Sequence, residues 1–186
     1  MDSIITRLVI FIIVTIFFTY VSRRPLRNLH AHGFYRYFAF EGIAGLVLYN
    51  QPVWFKDPFS GTQLFSWLLL LVSIILVTNG ILLLRRSGGQ CERQATPQNL
   101  TFENTQHLVI EGFYCYIRHP MYASLLFLSW GAFLKQIDLL TTIIVGVVTL
   151  ALFLTAKVEE SENIAFWGDA YSDYKLRSKM FIPFIF

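Results

Sequence analysis

Charge is scarce in this sequence. Only 15% of the 186 residues are Asp, Glu, Lys or Arg, whereas 55% are A, V, I, L, M, F, W, Y or C. That balance excludes an ordinary soluble domain built round a single core. Cysteine is nearly absent as well. Cys91 and Cys115 form no CxxC pair and have no clustered histidines beside them, so no metal site is expected; both fall in one loop on the expected reducing side, so no disulfide is expected either. The chain has no internal repeat, no low-complexity tract and no second domain. Its net charge of +3 comes from residues flanking apolar runs rather than from a basic face interleaved with aromatics, which argues against a nucleic-acid partner.

What the sequence has in quantity is long apolar runs, at 4–21, 37–54, 63–84, 120–134 and 139–156. Crossing the hydrocarbon core takes about 20 helical residues, and the first, second, third and fifth runs are adequate. The fourth gives a helix of only about 22 Å. It must start inside the headgroup region or be shielded by protein and water at one end, which makes its start a candidate site entrance. The first run is followed by "SRRPLR", with no small-residue cleavage pattern and its positive charge on the wrong side for a signal peptide, so it reads as a retained span.

Basic residues set the expected orientation. Arg23, Arg24, Arg27 and Arg36 follow run one; Arg85, Arg86, Arg93 and Arg118 follow run three; Lys157, Lys175, Arg177 and Lys179 follow run five. Only Arg7, Lys56 and Lys135 lie on the other side. The positive-inside rule then places the amino terminus outside and the carboxy terminus in the cytoplasm of a multi-pass membrane protein. The expected fold is all-α: a polytopic membrane helix bundle of about five transmembrane helices, forming one integral membrane domain over 1–186. Spans four and five, joined by "KQID", are expected to form an antiparallel helical hairpin. Ile164, Trp167, Tyr171 and Tyr174, spaced three, four and three apart, predict an amphipathic C-terminal helix carried past span five.

The polar stretch from Arg85 to Arg118 is too long for a simple connector, and its aromatic second half argues against disorder. It ends in "CYIRHPMYAS", residues 115–124. Pro120 suits the first turn of a helix and biases His119 toward extended backbone, placing Arg118 and His119 beside the free N–H groups of a helix start. Alone, Arg118 has a plain explanation as a snorkelling residue and Tyr122 as an interface aromatic. The pair Glu159 and Glu160, just past span five, likewise reads alone as a solvated helix end. The hairpin brings the two motifs together on one side of the membrane. A basic and aromatic patch then faces an acidic one across a pocket suited to a zwitterionic or cationic metabolite from the cytosol. Glu41, within about one turn of the interface, is expected to snorkel or to pair with Arg36.

The segments "LVIEGFYCYIRHPMY", Gly131, "EESENIAFWGDAYSDY" and the ending near Pro183 resemble the isoprenylcysteine carboxyl methyltransferase and phospholipid methyltransferase superfamily, small integral membrane enzymes that use S-adenosylmethionine. The resemblance covers about residues 100–186 and implies that this part binds the cofactor. It implies that Gln106, His107, Leu108, Val109 and Tyr114 line one wall of the cofactor pocket, that His119, Pro120, Met121 and Tyr122 form a second, and that Glu159 and Glu160 meet the cofactor from the far side. By the same resemblance His119 and Glu159 orient the cofactor and Arg118 places charge, with no dedicated general base. The acceptor would be a lipid or lipophilic small molecule arriving laterally from the bilayer. The isoprenylcysteine enzymes carry an Arg one turn before the first Glu, suited to a substrate carboxylate; here that position is Thr155, which leaves the acceptor open. Two alternatives stand beside this reading. NADPH-dependent sterol reductases share the Arg-His-Pro turn but continue with Asn-Tyr, where this chain has Met121 and Tyr122. A non-catalytic membrane protein of the same fold is the other.

Overall fold

The computed structural model describes residues 2–89 and 105–185; the expectations for Cys91 and for the first half of the long polar stretch fall outside them. Among the described residues the chain is helical throughout: α1 (Asp2–Val21), α2 (His32–Asn50), α3 (Gly61–Ser87), α4 (Pro120–Phe133), α5 (Leu139–Trp167) and α6 (Asp169–Arg177), with short 3-10 turns between them. Three helices are long and apolar enough to cross a membrane, over Ile4–Val21, Gly61–Ser87 and Leu139–Trp167. With this composition they mark a membrane protein.

α2 packs along α5, and α3 along α4, with α1 resting mainly on α2. Most of α1 is exposed, as expected of a helix facing lipid, and its ties to α2 include both polar and ring contacts: Thr15 donates to Glu41 at 2.8 Å, Thr19 meets the Tyr37 hydroxyl at 3.1 Å, and Phe18 packs on Phe40 with ring centroids 5.3 Å apart. Glu41 therefore pairs with Thr15 across α1 and α2. α2 starts five residues earlier than the apolar run suggested, because the His32 backbone N–H is taken by Glu162 of α5 at 3.3 Å. It also ends earlier, at Asn50, since Pro52 supplies no N–H to continue the ladder. The carbonyls of Leu48 and Tyr49 accept instead from Arg7, at 3.4 and 3.3 Å.

α4 has only 14 residues, roughly 21 Å of helix. Its last carbonyls would be stranded in an apolar medium if nothing met them. Side chains from α2 and α3 meet them: Ser66 donates to Gly131 O at 2.7 Å and Asn50 to Ala132 O at 2.7 Å, and just beyond the helix Gln63 donates to Lys135 O at 3.1 Å. Lys135 lies buried with its ammonium 3.4 Å from the centre of the Trp67 ring. Asp138 opens α5 with a reciprocal capping box, accepting from the Thr141 N–H at 2.8 Å.

α5 runs well past its apolar portion, so Glu159 and Glu160 lie inside a helix rather than at its end. The single amphipathic face expected from Ile164 to Tyr174 is bent: Gly168 adopts φ 59°, ψ −130° and separates α5 from α6. As a result Tyr171 and Tyr174 turn inward and are buried, while Ile164 stays exposed.

Close approach of α2 to α5 depends on Gly42, where an added Cβ would sit 2.4 Å from Val148 Cγ2 in the middle of the core. Gly42→Ala is expected to destabilise the bundle by about 1–3 kcal/mol. A lower melting temperature in detergent checks this, with Gly146→Ala, which meets nothing within 4 Å, as the unaffected control.

Candidate active site

The site lies where α5 outlasts its apolar portion and the chain's last residues return to the Arg-His-Pro turn. That turn is fixed by backbone. Lys179 N–H donates to Tyr116 O at 2.8 Å, Arg118 N–H to Lys179 O at 2.7 Å and His119 N–H to Met180 O at 3.2 Å. Pro120 then starts α4 with its missing N–H at a position where no bond is needed.

Glu160 is almost fully buried, and two cations meet its carboxylate: Arg118 Nε at 2.7 Å and Lys175 Nζ at 2.8 Å. Arg118 also donates through Nη1 to the carbonyls of Lys175 and Ser178. Its guanidinium therefore staples α6 and the C-terminal segment to the turn. Glu159, the neighbouring acid, faces a different way and accepts from the Tyr122 hydroxyl at 2.5 Å. The buried His119 ring lies between the two acids, with Nδ1 4.0 Å from Glu159 and Nε2 3.7 Å from Glu160, and stacks on Tyr122 at 5.5 Å. α2 closes the back of this cluster: His32 pairs with Glu162 at 2.7 Å, and the buried Arg36 interacts with the Tyr122 hydroxyl and the Glu159 charge.

In front of Glu159 is a cavity of about 80 Å³. Leu108, Val109, Tyr114, Arg118, His119, Pro120, Met121, Tyr122 and Glu159 all line it. Gln106 and His107 do not; they are exposed where the chain rejoins the end of α3, His107 N–H donating to Gly88 O at 2.8 Å. Glu160 also stands outside the lining, behind Arg118. Leu84, Thr105, Asn163, Trp167, Tyr171 and Tyr174 line the cavity without having been proposed as site residues from sequence. The last three are the aromatic face of the C-terminal segment, and that periodicity was the signal that could have found them. Nothing local in the sequence of α2 points to Arg36 or His32.

Trp167 stacks on Tyr171 at 6.0 Å with rings 11° apart, and the Tyr174 hydroxyl donates to Tyr114 O at 2.7 Å. Burial pushes the phenols of Tyr114, Tyr171 and Tyr174 well above their ordinary range, so they remain neutral. The cavity thus offers one carboxylate, several electron-rich ring faces and, in Arg118, a cation already committed to Glu160 and two carbonyls. A cationic group such as a sulfonium fits those walls, because ring faces and a carboxylate both attract positive charge. Among the described residues the several phosphates of a dinucleotide would find no arginine or lysine in the lining other than Arg118, which Glu160 already pairs. Among the described residues no group of His, Cys, Asp and Glu is arranged to hold a metal ion.

Comparison with known proteins gives the family. Residues 62–185 match the family model described as Phospholipid methyltransferase, and the chain belongs to that family. It is similar to a methanethiol S-methyltransferase of Crocosphaera subtropica, 26% identical over 163 residues, which cover 80% of this chain and 60% of that protein. It is also similar to protein-S-isoprenylcysteine O-methyltransferases of Tribolium castaneum, 35% identical over 82 residues (42% of this chain, 28% of that protein), and of Schizosaccharomyces pombe, 29% over 85 residues (44% and 36%). The matches thus span 60% or less of the length of each relative. No solved structure matches.

Removing the Glu160 carboxylate would leave a buried guanidinium without its counter-charge. Glu160→Ala is expected to lower stability by about 3–5 kcal/mol, and Glu159→Ala, whose carboxylate is hydrogen-bonded to the Tyr122 phenol and makes no contact as close with a cation as the Arg118–Glu160 pair, by less. Thermal melts of the two detergent-purified variants measure the difference.

Proposed function

We propose that this chain binds S-adenosylmethionine in the cavity before Glu159 and catalyses methyl transfer to a lipophilic acceptor at the cytoplasmic side of the membrane. The observation that carries this reading is the Glu159 carboxylate, held by Tyr122 and flanked by His119, at the wall of an aromatic-lined cavity whose one cation among the described residues, Arg118, is paired with Glu160. Family membership and the methyltransferase relatives support it independently. When bound, the cofactor supplies an electrophilic methyl on a sulfonium.

The chain's own contribution is alignment and exclusion of water, since in-line displacement needs no covalent help from protein. Glu159 and His119 orient the donor. Leu108, Val109, Tyr114, Pro120, Met121 and Tyr122 shape the walls, with Trp167 and Tyr171 offering a stacked pair of rings to an adenine. Gln106 and His107 act at the rim of the loop rather than in the wall. Arg118 and Glu160 hold the turn in place.

The chain is read as one integral membrane domain over 1–186, its cofactor-binding part at about 100–186. Five membrane-embedded helices make it up, α4 and α5 forming a hairpin and α4 not spanning the bilayer by itself. The acceptor enters from the bilayer. A thiol or other lipophilic nucleophile suits the site better than a carboxylate. Thr155 stands where the isoprenylcysteine enzymes carry Arg; it is fully buried and its hydroxyl donates to Ala151 O at 2.7 Å. The S-methyltransferase is also the relative matched over most of this chain.

Calorimetry on the detergent-purified chain tests the cofactor. S-adenosylhomocysteine is expected to bind and NADPH not to, with affinity for the former falling roughly 10–100-fold in Glu159→Gln and in His119→Ala, the size of a lost charge-assisted hydrogen bond. Binding of NADPH in place of S-adenosylhomocysteine would reverse the assignment. Orientation is tested separately by reporter fusions: a cytoplasm-active fluorescent protein on the carboxy terminus should glow, and an export-dependent phosphatase there should be silent.

A further inference from the structure

Behind the Arg-His-Pro turn, beyond the Arg118–Glu160 pair, lies a wider concavity of about 590 Å³. Arg118, Lys157, Lys175 and Lys179 line it together with Ser172 and Ser178, and no carboxylate does. Glu160 neutralises Arg118 and reaches Lys175. Lys157 and Lys179 are exposed, and neither has a carboxylate within 4.0 Å among the described residues. We propose that this concavity binds the phosphate headgroup of an anionic phospholipid from the leaflet it faces.

Two features favour a lipid over a free anion. Lys157 follows directly on the apolar portion of α5, immediately after the buried Thr155 and Ala156, so the basic cluster sits at headgroup depth. Leu176, on the rim contributed by α6, is 86% exposed, an apolar side chain beside the cations where an acyl chain would begin. Lys157 and Lys179, brought together without a carboxylate of their own, repel one another, and an anion between them removes that repulsion. The position also matters to the fold of the site. Lys179 pairs its backbone with Tyr116 and Arg118, so a headgroup held by Lys157 on α5 and Lys179 on the C-terminal segment clamps that segment onto the turn. The inference goes beyond methyl transfer and does not depend on it.

Native mass spectrometry and thermal melts of the full chain in detergent test this, with phosphatidylglycerol, phosphatidylcholine and inorganic phosphate added separately. Phosphatidylglycerol is expected to be retained and to raise the melting temperature, and phosphatidylcholine to do neither. In the double variant Lys157→Ala and Lys179→Ala the affinity for phosphatidylglycerol should fall roughly 30-fold, the effect of two lysines near a headgroup. The double Arg variant should keep it, which separates loss of charge from loss of fold. Equal retention of phosphatidylcholine, or unchanged phosphatidylglycerol binding in the Ala variant, would overturn the proposal. Protection by inorganic phosphate alone matching that of the lipid would overturn it too, in favour of a free-phosphate site.

Discussion

A buried carboxylate is the constraint on which this end of the molecule depends. Glu160 lies on a helix whose earlier turns are apolar, and an ionised acid there is tolerated only with its charge met at close range. Arg118 and Lys175 come from two segments far apart in sequence, so meeting that charge forces the Arg-His-Pro turn, α5 and α6 into one arrangement. The other positions of the site follow. With the turn fixed, α4 begins at Pro120, His119 falls between the two acids, and Tyr122, one turn on, reaches Glu159.

Adjacent acids divide the work by where they point. Glu160 faces two cations and belongs to the architecture; Glu159 faces a phenol and a cavity. The two side chains are chemically identical and one residue apart, yet a helix turns about 100° between them. The same geometry accounts for Arg118. Its place beside the cavity suggests a ligand contact, but Nε and Nη1 are taken up by Glu160 and two carbonyls, so much of its influence on any bound molecule passes through the turn it holds.

Much of this was legible in the residues. Apolar runs carry most of the helices and Pro120 the start of α4, and the Arg-His-Pro turn and the first Glu of the pair, read with the antiparallel order expected of the last two runs, point to one cavity. Helix α2 was less legible. Its amphipathic signal is blurred because Arg36 and His32, which look like a topogenic flank and a loop residue, are buried partners of Tyr122 and Glu162. A long-range pairing of that kind leaves no periodic trace. The bend at Gly168 was missed for the opposite reason: the spacing from Ile164 to Tyr174 is perfectly helical, and only the backbone freedom of one glycine breaks it.

Helix α4 behaves as a short strut. Its far end is tied by Asn50 and Ser66, and the chain just past it by Gln63, while its near end is the first turn of the site. A strut pinned at one end carries any shift of that end to the other. The positions of Pro120 and Tyr122 are thus set from the far end of the helix, by three polar side chains that do not line the cavity. Replacing those ties with longer or shorter ones would move one wall of the cavity without altering any residue in it.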